Sequence, residues 1–412
     1  MSTIQMLVGG ATATLNSASA AYAPICGGRR LSWATENFRS QLAAFACTMG
    51  NLQVVLSGTP GVGKSYTFVV RQNSADTAIS VAITGTATGG SDVVNTIQVV
   101  AGDALTLEET PASSPAPLIA QWSTTAEFGT PNRTILPCSG TTTNAASNPI
   151  YAPIQGLEFA ITTTYGVSTI ISGSGFLSDL YADTLTAPGV IAGGFEFAVF
   201  VNNVITALTT TVTGLLQTKN QNTDDTVSVK PGDFAYVRVA TIGTVTTYDR
   251  AILGLVFRPD TDGEYLVCVN GGLANMSNST TSRNFICAGV GAWATVAINS
   301  RNVPVQNARL KRMDALLSAD PGAGANEYKF TVEHNSGLTG LTFSIVDGVV
   351  GTVSSNLDVT TGQVLDVRSD PLSSPTASNA NLGFLFFATA AVSAVPATAI
   401  DQRSAIASGW EP

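Results

Sequence analysis

The chain has 412 residues, enough for two to four domains whose cores need no disulfide or metal staples. Charged residues make up 11% and there is one histidine, so the composition argues against acid–base catalysis and predicts a protein that is not an enzyme. The net charge of −9 argues against a nucleic-acid-binding face, because phosphate binding needs clustered Lys and Arg.

Residues 1–21 are rich in small side chains and differ from the rest of the chain. They lack a basic stretch followed by a sustained apolar run, so a cleaved signal peptide is not expected. We predict an N-terminal arm over 1–21 that docks on a neighbouring subunit.

Three segments of the remaining chain share one pattern. In each, a Pro-Gly pair precedes an alternating strand in which Asn follows Phe by five positions, and a Thr/Val-rich strand ending in Gly comes next. The pairs are Phe68 and Asn73, Phe197 and Asn202, and Phe330 and Asn335. Alternation places one face of a strand on a core, and Asn closes hairpins where φ is positive. Each copy is therefore predicted to contain a β-hairpin.

A second strand pair follows in each copy around a Gly-Asp or Gly-Gln turn, at Asp103, Asp233 and Gln363. Because the carboxylate is missing from the third copy, we predict that these side chains cap their own turns. Each copy then ends on an apolar strand, at 118–128, 251–257 and 382–387.

Short strands with frequent turns indicate a sandwich or barrel. We predict an all-β fold with three tandem jelly-roll-like β-sandwich repeats, over 22–135, 136–282 and 283–412. The repeats form either an intramolecular pseudo-trimer or an elongated string. Short helices are predicted within 37–48 and 308–317.

Five cysteines give an odd count, which does not suit a complete disulfide framework. We predict free, mostly buried thiols. Three of them are predicted to open the three repeats, namely Cys26, Cys138 and Cys287; the other two are Cys47 and Cys268.

Residues 58–65, Gly-Thr-Pro-Gly-Val-Gly-Lys-Ser, match the phosphate-binding P-loop pattern. Such a loop needs a following helix whose N–H groups and dipole face the phosphates. The residues after Ser65 alternate as in a strand, and the matching turns of the other copies lack the Lys. We therefore interpret the segment as a repeat turn, with nucleotide hydrolysis as an alternative.

Other polar residues suggest little chemistry. His334 lies in a predicted strand without a Ser or Cys partner, and Glu108-Glu109 and Asp224-Asp225 leave a calcium loop as an alternative without EF-hand spacing. The basic run of Arg309, Lys311 and Arg312, with Arg301 nearby, is typical of a solvated face or subunit contact. We assign no catalytic, cofactor-binding or metal-ligating residue, and we expect no cofactor.

Residues 382–400 are uncharged and long enough to raise the question of a membrane span. Small polar residues and Pro396 interrupt the apolar character. We predict a buried strand followed by a small-residue tail, in a soluble protein without membrane partners.

The shared motifs together resemble those of virion surface proteins of tailed bacteriophages. The Gly-Asp turn before a late strand is similar to the C1q/TNF-like jelly roll of trimeric head domains. This resemblance implies a capsid decoration, spike or fibre-head component on the virion surface, which contacts other virion subunits or copies of itself. Those families are usually homotrimers of one unit, whereas this chain carries three.

The alternative function is a carbohydrate- or receptor-binding module of a phage or cell-surface appendage. Exposed aromatic side chains would then be the stacking platforms, and the four considered are Trp33, Trp122, Tyr248 and Trp293. Trp33 and Trp293 follow Cys26 and Cys287 at similar distances, which favours a repeated core position over a sugar site.

Overall fold

The computed structural model describes residues 3–11, 13–27, 33–130, 132–142, 149–157, 167–245, 250–270, 275–284, 286, 289–290, 293 and 304–389. Within these ranges the chain forms six β-sheets of four or five strands and one 3₁₀ turn, Glu36–Phe38. The predicted all-β fold is confirmed. None of the described residues form a helix with the length and apolar character that a membrane span requires.

The first sandwich contains nine strands. They are β1 (Thr3–Gly10), β2 (Ala21–Pro24), β3 (Gln41–Leu42), β4 (Cys47–Leu56), β5 (Gly61–Gln72), β6 (Ala75–Gly85), β7 (Gly89–Val99), β8 (Ala104–Ala112) and β9 (Ala120–Phe128).

The described part of the second sandwich contains ten strands. They are β10 (Thr134–Thr142), β11 (Ile150–Ala152), β12 (Gly156–Leu157), β13 (Thr169–Ile170), β14 (Gly175–Asp183), β15 (Val190–Val201), β16 (Val204–Gly214), β17 (Lys219–Val229), β18 (Phe234–Ile242) and β19 (Arg250–Pro259).

The third sandwich contains nine strands among the described residues. They are β20 (Glu264–Asn270), β21 (Ser282–Asn284), β22 (Gly289–Val290), β23 (Ala308–Leu317), β24 (Glu327–His334), β25 (Gly337–Ile345), β26 (Val350–Val359), β27 (Leu365–Leu372) and β28 (Ala380–Ala388).

The three sandwiches repeat one jelly-roll strand order. One sheet of each joins the first and last strands to two middle ones, as in β1-β9-β4-β7, β10-β19-β14-β17 and β20-β28-β23-β26. The other sheet has the orders β2-β8-β5-β6, β11-β18-β15-β16 and β21-β27-β24-β25. Each pair of sheets encloses its own apolar core, centred on the repeated Phe68, Phe197 and Phe330. The sandwich repeats predicted from the motifs are therefore present.

The strand pairing moves two of the predicted boundaries. β1 pairs with β9 along its whole length, so residues 3–10 are an integral strand of the first sandwich and not part of a docking arm. β20 pairs with β28, so the third sandwich begins at Glu264, before the predicted residue 283. β1 is buried at all but one position, and a strand covered on both faces lacks the alternation that identifies strands in a sequence.

Both predicted helices are wrong. Residues 308–317 form β23, and residues 37–48 contain part of the 3₁₀ turn, all of β3 and the start of β4. β23 has a bulge after Leu310, and its large buried apolar side chains, Leu310, Met313 and Leu317, are three and four positions apart. The resulting spacing imitates helical periodicity, although the backbone is extended.

The repeated Asn closes a two-residue hairpin turn in every copy. Asn73, Asn202 and Asn335 have φ near 50°, and the residue after each has φ near 65°. Positive φ at both central positions is the mark of a type I′ turn, and Asn tolerates it better than most residues. The constant distance from Phe to Asn thus records a core residue and the turn that ends its strand.

Candidate functional site

The segment that matches the P-loop pattern is a turn followed by a strand. β5 begins at Gly61, so Lys64 and Ser65 are strand residues. The Lys64 side chain lies along Gly61, where an added Cβ would be 3.3 Å from the Lys64 Cδ. With a strand in place of the helix, the segment has no helix N-terminus to aim N–H groups at a phosphate.

The acidic pairs do not converge on a cation site. Glu108 and Glu109 are neighbours on β8, so their side chains point to opposite faces. Glu108 accepts a hydrogen bond from Arg71 at 2.5 Å, whereas Glu109 is fully buried. Asp225 accepts one from the Asn222 amide at 2.8 Å. Among the described residues, no three His, Cys, Asp or Glu side chains are grouped to hold a metal.

The basic run on β23 is neutralised by neighbouring carboxylates. Arg309 pairs with Asp358, Lys311 with Glu264, and Arg312 with Asp314. The first pair links β23 to the adjacent strand β26, the second reaches β20 in the same sheet, and the third lies within β23. Arg301 lies outside the described residues.

Among the described residues, the lone histidine and four of the cysteines show no catalytic arrangement. His334 ends β24 at the hairpin, half-buried and directly after Glu333, which pairs with Arg283. Four cysteines are buried, as predicted: Cys26, Cys47, Cys138 and Cys268. Burial raises the pKa of Cys47 to about 12, so this thiol stays protonated at neutral pH. Cys287 lies outside the described residues.

The tryptophans considered as sugar platforms are core residues. Trp33 packs on Phe68 and Trp293 on Phe330, with ring centroids 6.2 and 6.1 Å apart. Phe68 and Phe330 are the same position of the repeat, so the predicted repeated core role is confirmed. Trp122 is buried and donates its indole N–H to the Ile25 carbonyl at 3.1 Å. Tyr248 lies outside the described residues.

The Gly-Asp and Gly-Gln turns have the structural role predicted for them. The Val100 amide donates to Asp103 at 2.8 Å, the Lys230 amide to Asp233 at 2.9 Å, and the Thr360 amide to Gln363 at 2.6 Å. Each side chain therefore caps the turn in which it lies.

The most distinctive polar residue missed by the sequence reasoning is Gln41, which is fully buried where the first sandwich meets the second. Its amide group accepts from the Cys26 N–H at 2.9 Å and donates to the Cys26 carbonyl at 2.9 Å. The same Nε2 lies 3.2 Å from the Pro137 carbonyl and 2.9 Å from the Gly156 carbonyl of the second sandwich. One side chain thus satisfies backbone groups of two units.

Equivalent contacts join the second sandwich to the third. Gly27 and Gly156 hold the same place in the repeat, because each pairs with the first strand of its own sandwich, at Gly9 and Cys138. The residues that precede these two glycines, Cys26 and Gln155, are therefore also equivalent. Cys26 Sγ lies 3.8 Å from the Pro137 carbonyl, and Gln155 Oε1 accepts from the Cys268 N–H at 2.9 Å. Cys26 and Cys138 are therefore not equivalent, and the prediction that they open successive repeats is wrong.

Two glycines allow the backbones of neighbouring sandwiches to approach each other closely. A Cβ on Gly254 would lie 2.6 Å from the Leu42 carbonyl oxygen, and one on Gly383 would lie 2.4 Å from the Ile170 carbonyl oxygen. Gly254 pairs with Pro137 and Gly383 with Cys268, in corresponding strands. The first-to-second and second-to-third junctions therefore share one geometry.

The third sandwich contacts the first and completes the cycle. Met6 and Val8 of β1 belong to the core of the third sandwich, and Gln306 donates to the Ile4 carbonyl at 3.2 Å. Val55 packs against Val364 at the same junction. Of the two predicted arrangements, the contacts match the intramolecular pseudo-trimer and not the elongated string.

One cleft lies at the junction of the first and second sandwiches, with a volume of about 690 Å³. The β7–β8 turn of the first sandwich forms one wall. The edge strand β17 of the second sandwich and its neighbour β14 form the other. The lining residues are Leu42, Asn73, Ala101, Gly102, Asp103, Tyr181, Ala182, Lys219, Asn220 and Gln221.

No protein-family model matches the chain, and no curated protein matches it.

Proposed function

We propose that this chain is a structural protein of a virus particle, a capsid decoration, spike or fibre-head component that acts through contacts with other protein subunits. The observation that supports it most is the cyclic packing of three jelly-roll units in one chain. Trimeric head domains of the C1q/TNF-like type, which the sequence resembles, are usually built from three separate copies of such a unit.

A single-chain trimer of this kind suits a particle surface. The junctions bury Gln41 and the glycines at positions 254 and 383, so the three units are held in a fixed arrangement. Most described residues lie in strands, and many of the few charged side chains there form ion pairs with one another. Such a surface has few long side chains whose ordering would oppose subunit contact.

The partners in this proposal are other virion proteins or further copies of this chain. The experiment is to purify particles from a lysate that contains this chain and to separate them on a density gradient. Quantitative mass spectrometry then compares the chain with the major shell protein across the fractions. The proposal expects co-migration at many copies per particle. Recovery of the chain only in the soluble fractions would overturn it.

The purified chain supplies a second measurement. Light scattering with negative-stain imaging is expected to give a compact three-lobed particle near the monomer mass of 42.3 kDa. A ring, sheet or larger assembly would instead indicate a shell-forming protein whose contacts run between chains.

A further inference from the structure

The three junctions are equivalent in the repeat, and the cleft described above lies at the first-to-second junction. Gly102, Gly232 and Gly362 hold equivalent places in the β7–β8 turn and its two counterparts, and each donates its N–H to a backbone carbonyl of its own sandwich. The side chains around these glycines differ between the copies. The side chains of the first copy and of the second sandwich shape the cleft at their junction.

Small side chains in the β7–β8 turn of the first sandwich leave the cleft between the first and second sandwiches unfilled. Val364 in the third copy packs on Val55 of the first sandwich and closes that junction. The position equivalent to Val364 in the first copy is Ala104, and the residue equivalent to Val55 is Asp183. Asp183 pairs with Lys219 at 3.3 Å and makes no apolar closure across the junction.

An aromatic ring stands where the other copies have polar side chains. The equivalent positions in the first and third copies are Gln53 and Asp314. The strand pairing identifies them, because Tyr181, Gln53 and Asp314 lie opposite the equivalent residues Gly254, Ser123 and Gly383. The Tyr181 ring passes over Gly102, where an added Cβ would lie 3.9 Å from Cε1. The cleft thus has one aromatic surface on an otherwise polar wall.

Hydrogen-bonding groups surround that ring. Lys219 is about half exposed, and its ammonium lies 3.5 Å from the Gly102 carbonyl. The Gln221 side chain is exposed and forms no hydrogen bond with another described residue. Asp103 and Lys219 are the charged residues of the lining and offset each other, so the lining carries no net charge. The cleft therefore has no excess positive charge to hold an anionic ligand.

We propose that this cleft binds a neutral sugar, such as the terminal hexose of a glycan. An aromatic ring flanked by amide and carboxylate groups suits the apolar face and the hydroxyls of a pyranose, and the volume lies in the range of small-molecule sites. The inference does not depend on the role in a virus particle. It places a ligand site at Tyr181 and not at the buried tryptophans.

The test is saturation-transfer NMR followed by calorimetry on the full chain. The neutral probes are methyl glycosides of glucose, galactose, mannose and N-acetylglucosamine. The acidic probes are glucuronic acid and N-acetylneuraminic acid. The expected result is binding of at least one neutral glycoside with a millimolar or lower Kd. No binding of any probe, or preference for the acidic sugars, overturns the proposal.

Two variants locate the site independently. Tyr181→Gln introduces the residue of the first copy, and Ala101→Trp fills the cleft from an exposed turn position. Each is expected to weaken binding at least tenfold. The matched control is Thr361→Trp, which places the same ring on the equivalent turn of the third sandwich and is expected to leave Kd within twofold. Unchanged binding in both cleft variants, or equal loss in the control, contradicts the site.

Discussion

Asn202 and Asp233 join two turns of the second sandwich that are distant in sequence. Asn202 Nδ2 donates to Asp233 Oδ1 at 2.8 Å, and Asn202 Oδ1 accepts from the Phe234 N–H at 3.1 Å. Asn73 and Asp103 repeat this pair in the first sandwich, with an Nδ2–Oδ1 distance of 2.7 Å. The two residue types that mark the repeat in the sequence are therefore partners in space.

Removing this pair is expected to destabilise the protein. Asn202→Ala leaves Asp233 with one partner fewer and the Phe234 N–H without its side-chain acceptor, at a cost of about 1–3 kcal/mol. The measurement is urea unfolding followed by fluorescence. Asp224→Ala, which removes an exposed carboxylate nearby, is the control and should change the free energy of unfolding by less than about 0.5 kcal/mol. Equal effects of the two variants would contradict this assignment.

The third copy offers the reverse experiment. Gln363 caps its own turn, and Asn335 Oδ1 accepts from the Val364 N–H at 2.9 Å, but no Asn335-to-Gln363 side-chain bond forms. Gln363→Asp supplies the shorter carboxylate found in the other copies. It is expected to raise the free energy of unfolding by about 0.5–1.5 kcal/mol. Thermal unfolding by calorimetry measures the change, and a lower midpoint than in the parent protein would argue against the pair as a stabilising element.

Glu109 is expected to make stability depend on pH. It is fully buried in β8, and its Oε1 accepts from the Asn16 N–H at 2.8 Å. Burial, with a smaller contribution from the Glu108 charge, raises the pKa of Glu109 from 4.5 to about 8. Between these values the unfolded chain loses the proton while the folded protein keeps it. Stability from this group therefore falls as pH rises through the window, by up to about 1.4 kcal/mol per pH unit.

Glu109→Gln keeps this position neutral at every pH. Urea unfolding from pH 5 to 8 is expected to show a clearly flatter pH dependence for the variant than for the parent protein. Glu108→Gln is the control, because Glu108 lies on the other face of β8 beside Arg71. That variant should keep the slope even if its stability changes. A parent slope that survives in Glu109→Gln would refute the prediction.

The hairpins of this fold can be predicted from the sequence better than the junctions between the sandwiches. Phe68 and Asn73 identify a strand and its turn because alternation and positive φ leave a local signal. β1 and β20 leave no such signal, since they are covered on both faces and their burial depends on another unit. Gln41 is also unreadable locally, because its amide is satisfied by backbone groups from residues far along the chain.

The cleft illustrates the same limit. Ala101 and Tyr181 stand at unremarkable positions of two different repeats, and only the packing of one unit on the next brings them together. By residue type alone, the tryptophans are better candidates for sugar platforms than Tyr181. The repeated spacing of Trp33 and Trp293 from the cysteines indicates instead that they are core residues, and they pack on Phe68 and Phe330.

Gly254 is expected to be required at the first junction. A Cβ there would lie 2.6 Å from the Leu42 carbonyl oxygen, and backbone atoms cannot move aside as a flexible side chain can. Gly254→Ala should lower the free energy of unfolding by about 1–3 kcal/mol. Gly129→Ala is the control, because a Cβ at Gly129 meets no atom within 4 Å. Differential scanning calorimetry distinguishes them, and similar midpoints would contradict the close junction.

The cyclic arrangement of the three sandwiches predicts that the chain tolerates circular permutation. Residues 129–133 connect the last strand of the first sandwich to β10, and residues 260–263 make the corresponding connection to β20. β28, the last described strand of the third sandwich, contacts β1, the first strand of the first sandwich, as expected for a third connection of the same kind.

Joining Ala388 to Thr3 by a short flexible linker, with new ends between Gly129 and Thr130, should therefore preserve the fold and a cooperative thermal transition. The control permutant opens between Asn73 and Ser74, which breaks a type I′ turn, and is expected to unfold at a lower temperature. Circular dichroism and calorimetry of both permutants decide the matter, since failure of the first to fold would contradict the equivalence of the three connections.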